Sequence, residues 1–191
     1  MAATGRFRLV VITVAVVVSA LGAVVWSRTV ASEPEPDAVL DVPGEYLEPG
    51  SPTNPPLPTD RLPAVTLETA GGEPVELATD GRPMVVNLWF STCVPCAREL
   101  AAFAAVEADL GDDVRFVGVN PYDTASTMTR FAADRGVDYE LLRDPGFELA
   151  DDLAIVAYPV TLFVGADGRI VERTGPIDSP ELRARIAEHW S

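Results

Sequence analysis

The chain has 191 residues, which is enough for one globular domain with additional segments. Its 29 acidic residues outnumber its 14 basic residues, all of them arginine, and the formal net charge is −15. This balance argues against a nucleic-acid-binding protein, because the phosphates of nucleic acids require a basic surface.

The first predicted element is an apolar segment near the N-terminus. A short basic region, residues 1–8, precedes Leu9–Ser27, which carries no charge. A segment of this length nearly spans a bilayer, and basic residues before it favour a cytoplasmic N-terminus. We therefore expect residues 9–27 to be an uncleaved signal-anchor in the cell membrane, with the remaining chain extracytoplasmic. A cleaved signal peptide is the competing interpretation, and it would leave an exported protein.

Residues 28–61 form the next predicted segment. They contain eight prolines and few large apolar side chains. Such a composition buries too little surface to offset the entropy of ordering the chain. We predict an extended, semi-rigid linker here, and a globular domain over residues 62–191.

The globular domain begins with a predicted β-hairpin. Val65–Glu68 and Val75–Leu77 alternate as strands do, and Gly71-Gly72 lies between them. Met84–Phe90 then has the length and composition of a buried strand. Apolar residues at near-helical spacing predict a helix from Cys93 to Leu110.

Strands and helices alternate in the rest of the domain. We predict strands at Val114–Asn120, Tyr139–Leu142, Val160–Val164 and Ile170–Arg173, and helices at Thr124–Arg135, Phe147–Leu153 and from Ser179 onward. The alternation implies right-handed crossovers between parallel strands, and the Asp167-Gly168 turn predicts a closing antiparallel hairpin. The expected fold is α/β, with a mixed central sheet and helices on both faces.

The two cysteines of the chain lie where the predicted buried strand ends and the first predicted helix begins. Unpaired N–H groups and the helix dipole stabilise a thiolate at such a position, so a thiol pKa falls from about 8.5 to about 3.5–7.5. Pro95 is compatible with the first helical turn. Cys93 and Cys96 are therefore predicted to cycle between a dithiol and a disulfide.

Two other roles are open for the cysteine pair. A structural disulfide is possible in an exported protein, but closing so short a loop removes little unfolded-state entropy. Zinc requires three or four ligands, whereas the chain has no third cysteine and its single histidine, His189, lies near the C-terminus. We expect neither a metal nor another cofactor.

The segment Asn87–Cys96, NLWFSTCVPC, resembles the strand, Trp, loop and Cys-x-Pro-Cys pattern of the thioredoxin fold. The predicted hairpin, a helix–strand insertion at about 124–153, and Tyr158-Pro159 before a strand are similar to the TlpA/ResA type. Its members are membrane-tethered, extracytoplasmic thiol–disulfide oxidoreductases. The resemblance covers residues 62–190 and implies a thioredoxin-like fold with an N-terminal β-hairpin and a central α/β insertion.

The resemblance also implies roles for individual residues. Cys93 and Cys96 are the candidate catalytic pair and form the disulfide. Asn87 occupies the position of a buried Asp in cytoplasmic thioredoxins. Glu99 matches a glutamate tied to the active site, and burial would raise its pKa. Further candidate binding and supporting residues are Trp89, Val94, Pro95, Tyr158 and Pro159, of which Pro159 matches the cis-proline of the superfamily.

The function implied by the resemblance is thiol–disulfide exchange with protein partners. The expected direction is reduction, for example in cytochrome c maturation, with electrons supplied by a thiol protein of the membrane. A disulfide-forming oxidant, a copper chaperone and a non-catalytic tethered binding module are the alternatives. A peroxidase of the superfamily would require Ser or Thr three residues before the reactive cysteine, where this chain has Phe90.

Overall fold

The computed structural model describes residues 54–190. The predicted basic region, residues 1–8, the predicted anchor, residues 9–27, and the predicted linker as far as residue 53 lie outside the described residues. Among the residues that are described, no helix combines the length and the hydropathy needed to cross a bilayer.

The described residues form seven strands and four helices. In chain order these are β1 (Thr66–Thr69), β2 (Pro74–Glu76), β3 (Met84–Leu88), α1 (Val94–Leu110), β4 (Arg115–Asn120), α2 (Ala125–Ala133), β5 (Glu140–Arg143), α3 (Glu148–Asp152), β6 (Val160–Val164), β7 (Ile170–Thr174) and α4 (Ser179–Trp190).

Local sequence explains where several elements begin and end. All residues of β3 and β6 are buried, and both strands are apolar apart from Asn87 and Thr161, as is typical of central strands. Thr124 caps α2 by accepting the N–H of Thr127 on its hydroxyl oxygen at 3.3 Å. Gly136, with φ +75°, reverses the chain after α2.

The seven strands form one mixed sheet in the order β2-β1-β5-β4-β3-β6-β7. β3, β4 and β5 are mutually parallel, and the other neighbouring pairs are antiparallel. The crossovers through α1 and α2 step in the same direction along the sheet. Right-handed connections therefore place both helices on the same face.

The core is divided between the two faces of this sheet. Val85 and Phe163 point to a face covered by α1, α2 and α4, whereas Val86 and Leu162 point to a face on which Leu149 of α3 packs. The predicted α/β class, with a mixed sheet and helices on both faces, is confirmed. The helices are unevenly distributed, because only the five-residue α3 lies on the second face.

Six of the seven predicted strands differ from the structure by one or two residues at an end, and two of them show a physical reason. The strand predicted as Met84–Phe90 ends at Leu88, because the chain turns at Phe90, whose carbonyl accepts the N–H of Cys93 at 3.2 Å. The strand predicted as Tyr139–Leu142 lies one residue later, because Arg143 is in register with both Asn120 of β4 and Glu68 of β1.

Residues 54–61, which composition assigns to the linker, pack on the domain. The carbonyl of Asp60 accepts the N–H of Ile170 at 2.8 Å, and Leu62 donates to the carbonyl of Gly168 at 2.9 Å. Leu57 packs against the core on the second face. The described part of the globular unit therefore starts at Asn54, eight residues before the predicted domain boundary.

Candidate active site

The strand–helix junction places Cys93 at the N-terminus of α1. Cys93 is the N-cap residue, with extended backbone angles, and its carbonyl accepts the N–H of Ala97 at 3.0 Å. Its Sγ accepts the N–H of Cys96 at 3.3 Å. The sulfur therefore takes the position that a side-chain oxygen occupies in an ordinary cap, where N–H groups converge on partial negative charge.

Cys93 and Cys96 are joined in a disulfide, with their Cα atoms 5.2 Å apart. Cys93 is 7% exposed and Cys96 is fully buried, so the two sulfurs differ in their access to a partner. Val94, between them, is 65% exposed. Pro95 takes one of the first two helical positions, where its missing N–H removes no helical hydrogen bond.

Glu99 lies one turn after Cys96 on α1 and is inside the core, with 4% of its surface exposed. Its carboxylate accepts hydrogen bonds from Asn87 Nδ2 at 2.7 Å and from the backbone N–H of Ile177 at 3.2 Å. Burial raises the pKa of Glu99 from its ordinary 4.5 to about 7, because these two neutral donors only partly replace water around the charged form.

Asn87 connects Glu99 to the centre of the sheet. Its Nδ2 also lies 3.4 Å from the hydroxyl oxygen of Thr161, the residue paired with it on β6. Its Oδ1 is buried and has no hydrogen-bond partner within residues 54–190. A protonated Glu99 carboxyl is a donor, and rotation of the Asn87 amide would bring Oδ1 to face it. The pair is therefore compatible with both protonation states of Glu99.

A cavity of about 330 Å³ lies beside this buried carboxyl. Its lining comprises Pro95, Arg98, Glu99, Ala102, Pro176, Ile177, Asp178 and Glu181. The cavity is formed by α1 and the segment that leads into α4. Solvent can approach Glu99 from this side without passing over Cys93.

Trp89 and its neighbours pack behind the disulfide. Its buried indole belongs to the same apolar cluster as both cysteines and stacks on Phe131 with the ring centroids 5.8 Å apart. Arg135 lies 3.5 Å over the Phe131 ring and donates to the carbonyl of Ala97 at 3.2 Å, which links α2 to the first turn of α1. A Cβ at Gly118 would lie 2.9 Å from Trp89 Nε1, so glycine is needed beneath the indole.

The Tyr158–Pro159 peptide bond is cis, and Pro159 is buried. Val160, the next residue, pairs with Leu88, so Pro159 lies at the end of the sheet from which the chain continues to Cys93. The Tyr158 ring packs edge-on against Phe90, with the centroids 5.4 Å apart. An aromatic cluster of Phe90, Tyr122, Phe147 and Tyr158 thus adjoins the cis-proline.

Asp123 was not among the site residues predicted from the sequence, and the structure places it beside the cysteine loop. Its carboxylate accepts the N–H and the hydroxyl of Ser91 and the side-chain amide of Asn120, all at 2.7 Å. Ser91 lies two residues before Cys93. These three hydrogen bonds therefore fasten the loop that contains Cys93 to the end of β4. A serine and an acid far apart in sequence give no spacing signal for such a contact.

The structure brings most of the predicted site residues to one end of the sheet. Trp89, Cys93 and Cys96 share one cluster, against which Tyr158 packs. Phe90 lies three residues before Cys93, where a peroxidase of the superfamily would require the hydroxyl group of Ser or Thr. Within the described part of the chain, no group of three or more Cys, His, Asp or Glu residues is arranged to hold a metal ion.

Comparison with known proteins agrees with this geometry. Residues 58–173, more than half of the chain, match the AhpC/TSA family. The chain belongs to the AhpC/TSA family. Within this family it groups with the thiol–disulfide oxidoreductases of the TlpA/ResA type, so the resemblance found in the sequence is confirmed.

Individual relatives show how far the likeness extends. The thiol:disulfide interchange protein HelX of Rhodobacter capsulatus is 34% identical over 129 residues, covering 65% of this chain and 72% of HelX. The thiol-disulfide oxidoreductase ResA of Halalkalibacterium halodurans is 28% identical over 108 residues, covering 56% of this chain and 61% of ResA. The match thus spans less than two thirds of the length of ResA.

A solved structure shows the same fold. A secreted disulfide oxidoreductase of Mycobacterium tuberculosis, homologous to E. coli DsbE, superposes with a TM-score of 0.59 at 24% identity, covering 65% of this chain and 96% of that structure. The family members carry a thioredoxin-like domain, and the Cys93–Cys96 pair supplies the dithiol that thiol–disulfide exchange requires.

Proposed function

We propose that this family member reduces disulfide bonds in protein partners outside the cytoplasm. The observation that carries the proposal is the disulfide at the N-terminus of α1, in which Cys93 keeps 7% of its surface exposed and Cys96 is fully buried. A thiolate at the first position is stabilised by the helix and can be reached, as a nucleophile must be.

The reaction starts from the reduced pair. The Cys93 thiolate attacks one sulfur of the partner disulfide; the partner S–S bond breaks, and its second sulfur leaves as a thiolate that takes up a proton. Cys96 then loses its proton and attacks the Cys93 sulfur. The mixed disulfide breaks, the partner leaves with two thiols, and Cys93–Cys96 is oxidised. Two electrons pass to the partner.

Glu99 is suited to accept the proton that Cys96 loses. It follows Cys96 by three residues on α1, on the same helix face, and its pKa of about 7 allows both protonation states near neutrality. The adjacent cavity supplies a route for that proton to solvent. Asn87 is a neutral residue, and its Nδ2 donates to the Glu99 carboxylate at 2.7 Å, which holds the carboxyl in place.

The cis-proline edge is suited to hold the partner during both steps. Tyr158 and Pro159 precede β6 at the cysteine end of the sheet, and extended peptides bind to protein backbone by strand-like hydrogen bonds. Val94 adds an exposed apolar contact between the two cysteines. The partner disulfide would thus be held close to Cys93.

The direction of electron flow and the location are parts of the same proposal. Residues 9–27 would anchor the chain in the cell membrane, and a thiol protein of the membrane would reduce Cys93–Cys96, because extracytoplasmic compartments lack a reducing thiol pool. Apocytochrome c is the partner class that the family resemblance favours. The names of HelX and ResA support thiol–disulfide exchange. The alternative direction of electron flow is the formation of disulfide bonds in the partner.

Reduction of insulin with dithiothreitol as the electron source tests the exchange activity. The wild-type chain should accelerate insulin reduction, and Cys93→Ser should return the rate to that of dithiothreitol alone. Cys96→Ser is the matched control: it retains the accessible sulfur and should stop after a mixed disulfide forms. An unchanged rate in Cys93→Ser would contradict an exchange function.

Equilibration of Cys93–Cys96 with glutathione buffers tests the direction. A reductase should have a potential near the thioredoxin value of about −270 mV, whereas a value near about −120 mV, as in DsbA, would show a disulfide-forming oxidant.

A further inference from the structure

Asn54, at the start of the described chain, binds a loop more than a hundred residues away. Its Oδ1 accepts the N–H of Val156 at 2.7 Å and the N–H of Ala157 at 2.8 Å. Its Nδ2 donates to the carbonyl of Ala157 at 2.9 Å. One amide side chain therefore satisfies three backbone groups of two consecutive residues, as a neighbouring strand would do.

These two residues directly precede the cis-proline edge. The first two backbone N–H groups of the loop after α3 still donate to backbone carbonyls of the preceding helix. Ala154 donates to the carbonyl of Asp151 at 3.0 Å, and Ile155 donates to the carbonyl of Ala150 at 2.8 Å. Beyond Ile155 that support ends. Among the residues described, Asn54 alone accepts the N–H groups of Val156 and Ala157.

The segment that carries Asn54 is itself held to the sheet. Arg173 of β7 donates from Nη2 to the carbonyls of Pro55 at 2.6 Å and Asn54 at 3.4 Å. Further along the segment, Asp60 and Leu62 make the backbone hydrogen bonds to the β6–β7 hairpin described above. Asn54 is thus fastened to a rigid element and is able to restrain the loop.

The loop itself offers little packing of its own at this point. Val156 is 74% exposed, so its side chain does not anchor the backbone. On the other side, Tyr158 packs in the aromatic cluster with Phe90 and Tyr122. The backbone between α3 and β6 is therefore held from one side by Asn54 and from the other by Tyr158.

We propose that Asn54 is a positioning residue, which holds the Val156–Ala157 backbone and so presents the Tyr158–Pro159 edge to protein partners. This inference rests on the thiol–disulfide exchange proposed above. An unrestrained loop would have to be ordered when a partner binds, and that entropy cost weakens binding without altering sulfur chemistry. Asn54 should therefore affect KM for a protein partner and leave the reaction of Cys93–Cys96 with small thiols unchanged.

The test compares full-length Asn54→Ala with wild type and with Arg61→Ala as the matched control. Arg61 lies in the same segment and donates to the carbonyl of Asp167 at 2.7 Å, away from the loop. We expect Asn54→Ala to raise KM for insulin about five- to tenfold, as the loss of hydrogen bonds of ordinary strength implies, with kcat changed less than about twofold. Arg61→Ala should keep the wild-type KM.

Two further measurements separate positioning from damage to the fold or to the redox centre. The rate at which dithiothreitol reduces Cys93–Cys96, and the potential of the pair, should be the same in Asn54→Ala and wild type. Amide hydrogen exchange in wild type should show protection of Val156 and Ala157, and this measurement does not depend on whether the variant folds.

The outcomes distinguish this inference from the proposed function. Wild-type protein that does not reduce insulin at all would refute the exchange function. An active wild type with an unchanged KM in Asn54→Ala, an equal KM increase in Arg61→Ala, or unprotected Val156 and Ala157 amides would refute the positioning role alone.

Discussion

Two carboxyl groups flank the segment that carries the cysteines, and their surroundings differ. Asp123 is partly exposed and accepts three hydrogen bonds at 2.7 Å, from Ser91 and Asn120. Glu99 is buried and accepts two, at 2.7 and 3.2 Å. The hydrogen bonds of the Asp123 carboxylate fix a loop. The Glu99 carboxylate is incompletely solvated, so its pKa rises to about 7 and it is suited to exchange a proton.

The sharpest test of this difference is the activity of Glu99→Gln. Glutamine keeps the size of the side chain but cannot take the proton from Cys96, so the rate of insulin reduction should fall about a hundredfold at neutral pH. The dependence of the rate on pH near 7 should disappear at the same time. Asp123→Asn is the control, and it should retain the wild-type pH dependence. A pH profile of Glu99→Gln that superposes on wild type would remove Glu99 from the reaction.

The stability of the oxidised protein should change with pH because of the same Glu99 carboxyl. The folded protein binds the Glu99 proton more tightly than the unfolded chain, because the pKa is about 7 in the fold and 4.5 ordinarily. The contribution of Glu99 to stability is therefore fully present below pH 4.5 and is lost as pH rises through 7. Between these two pH values the free energy of unfolding of wild type should fall by about 3 kcal/mol more than that of Glu99→Gln. Urea unfolding across this range measures the difference, and parallel curves for the two proteins would contradict the assignment.

The smallest expected effect is that of Asp123→Ala. Removal of the carboxylate leaves the Ser91 and Asn120 donors without their acceptor and should lower the free energy of unfolding by about 2 kcal/mol. Urea unfolding at one pH measures this loss. Asp152, an exposed residue of α3, provides the control, since Asp152→Ala should change stability by less than about 0.5 kcal/mol. Equal losses in the two variants would show that Asp123 does not hold the loop.

Patterns local in sequence predicted the fold well. The order of strands and helices and the position of the cysteines at the start of α1 depend on a few consecutive residues. Strand ends were less predictable, because the position of β5 depends on its pairing with β1 and β4. Composition was misleading at residues 54–61, since a proline-rich segment can pack through backbone carbonyls and a few side chains.

The site was predictable only where residues lie close together in sequence or where the family resemblance supplied a role. The spacing of Cys93, Cys96 and Glu99 places all three on one helix, whereas the raised pKa of Glu99 depends on burial that no spacing reveals. Asp123 and Asn54 reach the site only through folding, from contacts across 32 and about a hundred residues. A single sequence carries no signal that joins such positions.

The unequal burial of the two sulfurs determines the order in which other molecules can react. Cys96 has no exposed surface, so any species that gives electrons to the pair and any species that takes them must bond to Cys93. An electron donor and an electron acceptor therefore cannot be bonded to Cys93 at the same time. Turnover should therefore follow a double-displacement scheme, in which donor and acceptor compete for one atom and an excess of either slows its counterpart.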